Sequence, residues 1–192
     1  EEEISYGGEP LSAFQKAIRG NCEVLYDHEC KEMNDINLHR CRCIPVGVPG
    51  ADWRTLEEVV AKDPSKKTFH GQPLVPWCLP NTADRHNGWR GLYGRLDPMG
   101  SFGTATTDPQ PMGKVGTVLH PSQDRIISVR ECARSQGFPD RFRFYGNPVQ
   151  KHRQVGNAVP PVLAAKLGEQ LRLVLEQTDK KKNQSILDAM LL

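Results

Sequence analysis

The fold of this chain is decided by two stretches, Arg130-Glu131-Cys132-Ala133-Arg134-Ser135-Gln136-Gly137-Phe138-Pro139-Asp140 and Arg153-Gln154-Val155-Gly156-Asn157-Ala158-Val159-Pro160-Pro161. Ser128 precedes the first stretch and stands three residues before Glu131, the spacing of a capping box, which predicts a helix beginning there. Gly137 and Pro139 should end that helix after Gln136. A second helix is expected over residues 148–156.

The second stretch predicts a Gly-Asn turn that opens a closing helix at Pro160 or Pro161, where the missing proline N–H costs nothing. The apolar face of that helix should consist of Leu163, Leu167, Leu171 and Val174. From residue 178 the chain is rich in lysine, and we expect residues 178–192 to be a disordered tail.

Regular structure is sparser upstream. Residues 11–19 predict a short amphipathic helix, residues 27–42 are polar and weakly helical, and Asp52 is placed to cap a helix that ends near Ala61. Residues 77–119 are rich in glycine and proline, which rules out long elements there. Such loop-built surfaces are where recognition residues tend to lie.

The composition of the chain limits which binding partners it can have. The chain has 192 residues and a formal net charge of only +2. Any surface that binds phosphate must therefore come from local clustering of basic residues. No apolar run approaches the roughly 20 residues of a membrane span, and we expect no membrane partner.

Six cysteines are present, and we expect reduced thiols because no signal peptide is visible. Cys41-x-Cys43 is spaced too closely for a typical zinc pair. The alternative is a metal site that draws on His28, Cys30 and His39 with Cys41 and Cys43. We interpret these residues as ordinary core and surface side chains and predict no metal.

Several strings in order resemble one protein family. They are Ile4–Phe14, Pro76-Trp77-Cys78-Leu79-Pro80, Asn87–Leu96, Pro109-Gln110-Pro111-Met112-Gly113-Lys114 and the two closing stretches. Together they resemble the C-terminal part of the eukaryotic maintenance-type DNA cytosine-5 methyltransferases. The resemblance implies an α+β fold: a partial, loop-rich target recognition domain with short strands over residues 1–120. Residues 121–177 would be the C-terminal helices of an α/β Rossmann-like methyltransferase domain.

The resemblance also implies a DNA-binding set that recognises hemimethylated CpG in double-stranded DNA. An apolar pocket around 5-methylcytosine would be formed by Cys78, Leu79, Trp89, Leu92 and Met112, and a thymine-like methyl is recognised by such contact. Lys114 would reach guanine. The alternative for Trp89, Leu92 and Met112 is ordinary hydrophobic core. A cysteine-rich zinc insertion found in vertebrate members is absent here, and Asn81 stands where its His would be.

Arg130 and Arg134 are four residues apart on one helical face, which suits phosphate contact or ion pairing. The alternative is a solvated face with Glu131 as the partner. By resemblance, this block packs the recognition domain against the catalytic domain.

For the methyl donor S-adenosylmethionine, the resemblance implies a site at Gly156, Asn157, Ala158 and Val159, with Asn157 and Val159 in contact with the donor. The alternative is a plain helix N-cap by Asn157.

The chain lacks the Pro-Cys-Gln context of the family's nucleophile, the Glu-Asn-Val context of its catalytic Glu, and the glycine-rich donor turn. We therefore expect no catalytic residue in this chain and interpret it as a piece of a nuclear enzyme whose upstream catalytic and regulatory domains are its partners. The alternatives are a non-catalytic DNA-binding or decoy module and a degenerate gene product.

Overall fold

The computed structural model describes residues 4–113 and 116–190. Within them, short helices, one long closing helix, very short strands and three 3-10 turns follow one another. The helices are α1 (Ala13–Arg19), α2 (Asp35–Cys43), α3 (Arg54–Lys62), α4 (Cys78–Asn81), α5 (Val129–Ser135), α6 (Pro148–Asn157) and α7 (Pro161–Met190). The strands are β1 (Ile4–Ser5), β2 (Val24–Leu25), β3 (Thr68–Phe69), β4 (Gln72–Pro73), β5 (Gly94–Arg95) and β6 (Thr117–Leu119).

The strands form three separate two-stranded sheets. β1 pairs with β2 and β3 with β4, both antiparallel, whereas β5 and β6 are parallel. Ladders this short cannot hold a fold together by themselves. The predicted α+β, loop-rich class is confirmed, and side-chain packing carries the structure.

The predicted helix boundaries are set by local chemistry. The Ser128 hydroxyl accepts the Glu131 N–H, and the Glu131 carboxylate accepts the Ser128 N–H at 2.7 Å, which completes the expected capping box. Gly137 takes φ 80° and ends α5 as predicted, because this conformation costs glycine little. Asp52 accepts the Arg54 N–H at the start of α3.

A single buried cluster joins the loop-rich part to α5 and α6. It contains the least exposed apolar side chains of both parts, among them Trp53, Leu56, Leu79, Leu92, Tyr93, Leu119, Val129, Cys132, Phe144 and Val155. The boundary predicted near residue 120 stays a prediction, since the same core spans it.

The closing helix α7 differs from expectation at its far end. It begins at Pro161 as predicted but continues to Met190, through residues expected to be disordered. Lysine, glutamine, leucine and alanine in this segment all have good helix propensity, which accounts for the extension. The predicted apolar face is more than half exposed along its length, at Leu163, Leu167, Leu171 and Val174. No helix of the described residues is both long and apolar enough to span a membrane.

A buried ionic network fixes the N-terminal segment to the helices at the other end of the chain. Arg130 is fully buried and donates to the carbonyls of Tyr26 (2.8 Å) and Phe142 (2.5 Å) and to the carboxylate of Asp27 (3.1 Å). Asp27 also accepts from Lys151 at 2.7 Å. Two cations therefore share one buried carboxylate, an arrangement that is tolerable only when hydrogen bonds satisfy the remaining polar atoms.

We predict that Asp27→Asn lowers the free energy of unfolding by about 3 kcal/mol, because it removes the charge that two buried cations share. Lys151 keeps Glu29 at 2.5 Å and Arg130 keeps Asp140 at 4.0 Å, so the loss should lie at the lower end for a broken buried pair. Asp27 has φ 59°. Asparagine tolerates that left-handed conformation, so the backbone should not add to the loss. Urea denaturation followed by circular dichroism measures the change.

The matched control for this prediction is Glu169→Gln, which removes the carboxylate of an exposed ion pair with Lys166 on α7. It should cost less than about 1 kcal/mol. Equal losses in the two variants would show that the buried network contributes no more than a surface pair.

Candidate nucleic-acid interface and donor turn

The recognition loop, residues 77–93, is braced by its own polar contacts. The Asn81 amide donates to the Trp77 carbonyl at 2.7 Å, and the indole N–H of Trp89 donates to the Thr82 hydroxyl at 2.7 Å. The rings of His86 and Trp89 stack with centroids 3.8 Å apart. The loop therefore has a defined shape although it contains only one-turn helices.

The same loop is conformationally strained. Three of its non-glycine residues take left-handed backbone angles: Asn87 (φ 51°), Trp89 (φ 47°) and Tyr93 (φ 53°). Bulky side chains rarely adopt this region, and such outliers cluster at functional sites. The surrounding structure must hold the loop against this preference.

The support comes from the start of α3. The Asp52 carboxylate accepts the Gly91 N–H at 3.1 Å, while the Trp53 N–H donates to the Leu92 carbonyl at 3.0 Å. The Trp53 indole N–H donates to the Trp89 carbonyl at 3.0 Å. Burial by itself raises the pKa of Asp52, but hydrogen bonds from Arg54 and Gly91 outweigh it and lower the pKa, so the carboxylate is ionised at neutral pH.

The structure brings four of the predicted recognition residues together. Leu79 and Leu92 are buried in the core cluster, and Cys78 and Trp89 are half-buried against it. The burial of Leu92 agrees with the core alternative that was stated for it, and Leu79 has almost no exposed surface either. Trp77 is 71% exposed beside them, a feature the sequence analysis did not single out.

The second predicted recognition segment is tied to the first. The Tyr93 N–H donates to the Pro111 carbonyl at 2.8 Å, which places the turn that carries Met112 next to the end of the recognition loop. Met112 is 38% exposed and lies at the surface, apart from the buried cluster that holds the other four. Gly116 is packed so closely that a Cβ there would lie 2.5 Å from the Leu92 Cα. Lys114 lies outside the described residues.

The structure corrects the sequence analysis on Arg130. It is fully buried, and its guanidinium is used by Asp27 and by backbone carbonyls, so it is not presented to a phosphate. Arg134 is partly exposed and holds Asp140 with two hydrogen bonds. Both arginines form ion pairs, Arg130 with Asp27 and Arg134 with Asp140. The alternative of a solvated face with Glu131 as the partner does not describe them.

Glu131, the expected partner, pairs instead with Arg125 at 2.7 Å. Burial raises the pKa of this carboxyl, but hydrogen bonds from Arg125 and the Ser128 N–H outweigh it and lower the pKa to about 2. The helix face expected to be solvated is thus partly buried and is covered by ion pairs.

The donor turn, residues 156–159, differs from the expected geometry. Gly156 and Asn157 are the last residues of α6, and α7 begins only at Pro161, so Asn157 is not the N-cap of the closing helix. A Cβ on Gly156 would lie 2.7 Å from the Thr107 backbone nitrogen. The close approach predicted for a glycine is therefore made by the chain's own backbone.

Two residues of the donor turn still fit a ligand. Asn157 is exposed, and its amide offers both a donor and an acceptor. Val159 is 58% exposed and offers an apolar contact. Gly156 is covered by Thr106 and Thr107, and Ala158 is half-buried against the core cluster.

The residues of the alternative metal site have separate roles. His28 contacts the Ser128 hydroxyl at 3.0 Å, the Cys30 sulfur lies 3.5 Å from Arg125, and His39 stacks on Phe69. In the part of the chain that the structure describes, no three His, Cys, Asp or Glu side chains are grouped to hold a metal ion. All six cysteines are free thiols, and burial raises the pKa of Cys41 to about 11 and of Cys132 to about 12.

The family of the chain follows from comparison with known proteins. The family model for the C-5 cytosine-specific DNA methylase matches residues 15–172. The chain belongs to this family. Both closing stretches and the recognition loop lie inside the match.

Similar proteins include a rice (Oryza sativa subsp. japonica) DNA (cytosine-5)-methyltransferase 1B, 60% identical over 181 residues, which cover 93% of this chain and 11% of the rice protein. Arabidopsis thaliana DNA (cytosine-5)-methyltransferase 4 is 54% identical, covering 94% of this chain and 12% of its own length. Mouse (Mus musculus) DNA (cytosine-5)-methyltransferase 1 is 45% identical, covering 90% of this chain and 13% of its own length. The chain thus spans only a small part of these relatives.

We predict that Asp52→Ala speeds amide hydrogen exchange at Gly91 by about tenfold or more, because a hydrogen bond to a charged group contributes about 1.5–3 kcal/mol. The measurement is native-state exchange read by NMR. Asp97→Ala is the control, since Asp97 accepts the Met99 N–H in an exposed turn outside the loop. Unchanged protection at Gly91 would mean that the loop holds its shape without Asp52.

Proposed function

We propose that this chain supplies DNA recognition and part of the donor site to a maintenance-type DNA (cytosine-5) methyltransferase. The enzyme would transfer a methyl group from S-adenosylmethionine to cytosine in hemimethylated CpG DNA. The observation that carries the proposal is the strained recognition loop, which two residues of the α3 start hold in place and which leaves Trp77 exposed and Trp89 half-exposed at its surface. Strain that the surroundings maintain is typical of a binding surface.

Recognition of one methyl group requires an apolar contact in the major groove. Leu79 and Leu92 would form the floor of the pocket, while Cys78 and Trp89, which are half-buried, would form its accessible side. Met112 would approach from the adjoining turn, and Lys114 would donate to guanine, the commonest specific base contact of a lysine or arginine. One methyl in such a pocket is worth about 1–3 kcal/mol, so it biases the choice of substrate.

At the donor turn, Asn157 would hydrogen-bond the bound S-adenosylmethionine, and Val159 would pack against it. The donor supplies the methyl group. Gly156 and Ala158 would act indirectly. Gly156 lets the Thr106–Thr107 backbone pack against the end of α6, and Ala158 packs against the core cluster. These contacts would hold Asn157 and Val159 in position at the surface.

The exposed apolar face of α7 favours a part of a larger enzyme over an independent decoy module. Four large aliphatic side chains on this helix, each more than half exposed, leave a continuous apolar stripe. An independent soluble domain would normally cover such a stripe. We propose that upstream catalytic and regulatory domains are the partners of this chain and that the assembled enzyme acts in the nucleus.

We predict that the isolated chain transfers no methyl group, because none of its cysteines stands in the nucleophile context. Two of them are also held as neutral thiols by burial, and the thiolate is the reactive form. The assay is tritium transfer from labelled S-adenosylmethionine to hemimethylated duplex DNA. A no-protein blank sets the background, and an active methyltransferase confirms the assay. Counts above the blank would contradict the prediction.

We further predict that Trp89→Ala reduces the preference for hemimethylated over unmethylated CpG duplex by about tenfold or more. Total DNA affinity should change less, since contacts to phosphate supply most of it. Paired binding titrations on the two duplexes measure the ratio.

Met99→Ala serves as the control for Trp89→Ala, because Met99 is 92% exposed and lies outside the recognition loop. An unchanged ratio in the Trp89 variant would show that this tryptophan belongs to the core and senses no methyl group.

A further inference from the structure

A second basic surface lies on α2 and on the β3–β4 hairpin, outside the recognition loop. We call it the hairpin patch. The rings of His39 and His70 pack on Phe69, the charges of Arg42 and Lys66 act on His39, and Lys67 directly precedes β3. Arg42, Lys66, Lys67 and His70 are exposed. Two acids lie near the patch: Asp35 lines a pocket with Phe69 and His70, and Asp63 approaches Lys66 only to 3.8 Å, in an exposed pair. Such a pair holds the lysine weakly.

Ring stacking gives the hairpin patch a fixed geometry. His39 and Phe69 stack nearly parallel, with centroids 4.0 Å apart and planes 8° apart. His70 packs against Phe69 with centroids 4.3 Å apart. Two imidazoles, which are potential N–H donors, are thus held around one phenyl ring at the centre of the basic group.

The turn of the hairpin fixes where His70 stands. His70 has φ 48° and Gly71 has φ 74°. Two successive positive angles are those of a type I′ turn, and histidine is among the non-glycine residues that adopt this left-handed region more readily than most. The turn therefore holds the His70 side chain at the tip of the hairpin next to Phe69.

The positive charges of the patch crowd one another. Burial lowers the pKa of His39, and the charges of Arg42, His70 and Lys66 lower it further. Mutual repulsion of this kind is relieved when an anion binds between the cations.

The hairpin patch is rigidly connected to the recognition loop. The buried guanidinium of Arg40 donates to the carbonyls of Pro73 and Leu74, both at 2.8 Å, at the exit of the hairpin. It also donates to the Tyr93 hydroxyl at 2.9 Å, at the end of the recognition loop. One side chain therefore fixes the two surfaces relative to each other.

We propose that the hairpin patch binds the phosphodiester backbone of the same DNA duplex whose bases meet the recognition loop. The inference rests on the proposed function, because it assigns a second contact to the same ligand. Duplex DNA is favoured over an acidic protein segment because Arg40 joins the patch directly to the base-recognition surface. Phosphate contacts of this kind set position and affinity without selecting a sequence.

The test removes three exposed positive charges together, in the variant Arg42→Gln, Lys66→Gln, Lys67→Gln. The matched control removes three exposed charges from α1 and α7, in the variant Lys16→Gln, Lys166→Gln, Arg172→Gln. Binding of the 192-residue chain to a short duplex is titrated over a series of salt concentrations, with circular dichroism confirming equal folding. In the patch variant, the slope of log K against log salt should fall by about 2–3 units.

Affinity in low salt should fall by at least about tenfold in the patch variant. The loss should be the same for hemimethylated and unmethylated duplexes, so their ratio is preserved, in contrast to the expected effect of Trp89→Ala. The control variant should keep the wild-type slope.

Other outcomes overturn the proposal in distinguishable ways. If the wild-type chain binds DNA and the patch variant keeps its slope, the patch proposal fails while the proposed function stands, and an acidic protein segment becomes the better occupant. If both variants lose the same slope, the effect is one of net charge and the patch is not a site. If the wild-type chain shows no salt-dependent binding of duplex DNA, the proposed function and the patch fail together.

Discussion

The fold depends on the buried guanidinium of Arg130 and on the carboxylate that it shares with Lys151. A charge without exposed surface is tolerable only when all its neighbours are in place, so this pair forces three distant segments to meet. The segments are the turn at Tyr26–Asp27, the connector around Phe142, and α6. Apolar contacts alone would let these segments slide slightly past one another. The directional hydrogen bonds from the buried Arg130 guanidinium prevent such motion.

The recognition loop is also held in place by polar contacts from residues outside it. Its backbone is strained, and the groups that hold it in place, Asp52 and Trp53, come from the start of a helix outside the loop. Arg40 then fixes Tyr93, where the loop ends, to the exit of the β3–β4 hairpin. A surface built from short turns can therefore be stiff, because its shape is determined by buried polar contacts behind it and not by long elements.

Local chemistry made part of this structure predictable from the sequence. The capping box at Ser128, the stop at Gly137 and the start of α7 at Pro161 each depend on residues that are close together in the chain. The partners of Arg130 lie as far as 104 residues away in sequence, so the pattern on α5 suggested an exposed face where the structure has an interior. Gly156 could be interpreted only in part for the same reason. The sequence indicated that some group approaches this glycine closely, but not that the group is the backbone of Thr106 and Thr107.

The donor turn carries a consequence for how such a gene would change over time. Gly156 is constrained by packing, since any side chain there would collide with the Thr106–Thr107 backbone. Asn157 and Val159 are exposed, so packing constrains them far less. If Asn157 and Val159 bind the donor as proposed, a copy released from selection for that binding would keep its glycine while the two neighbours drifted. In a set of diverged copies, substitutions at Asn157 and Val159 with Gly156 intact would then mark the lineages in which the proposed donor binding was lost before the fold.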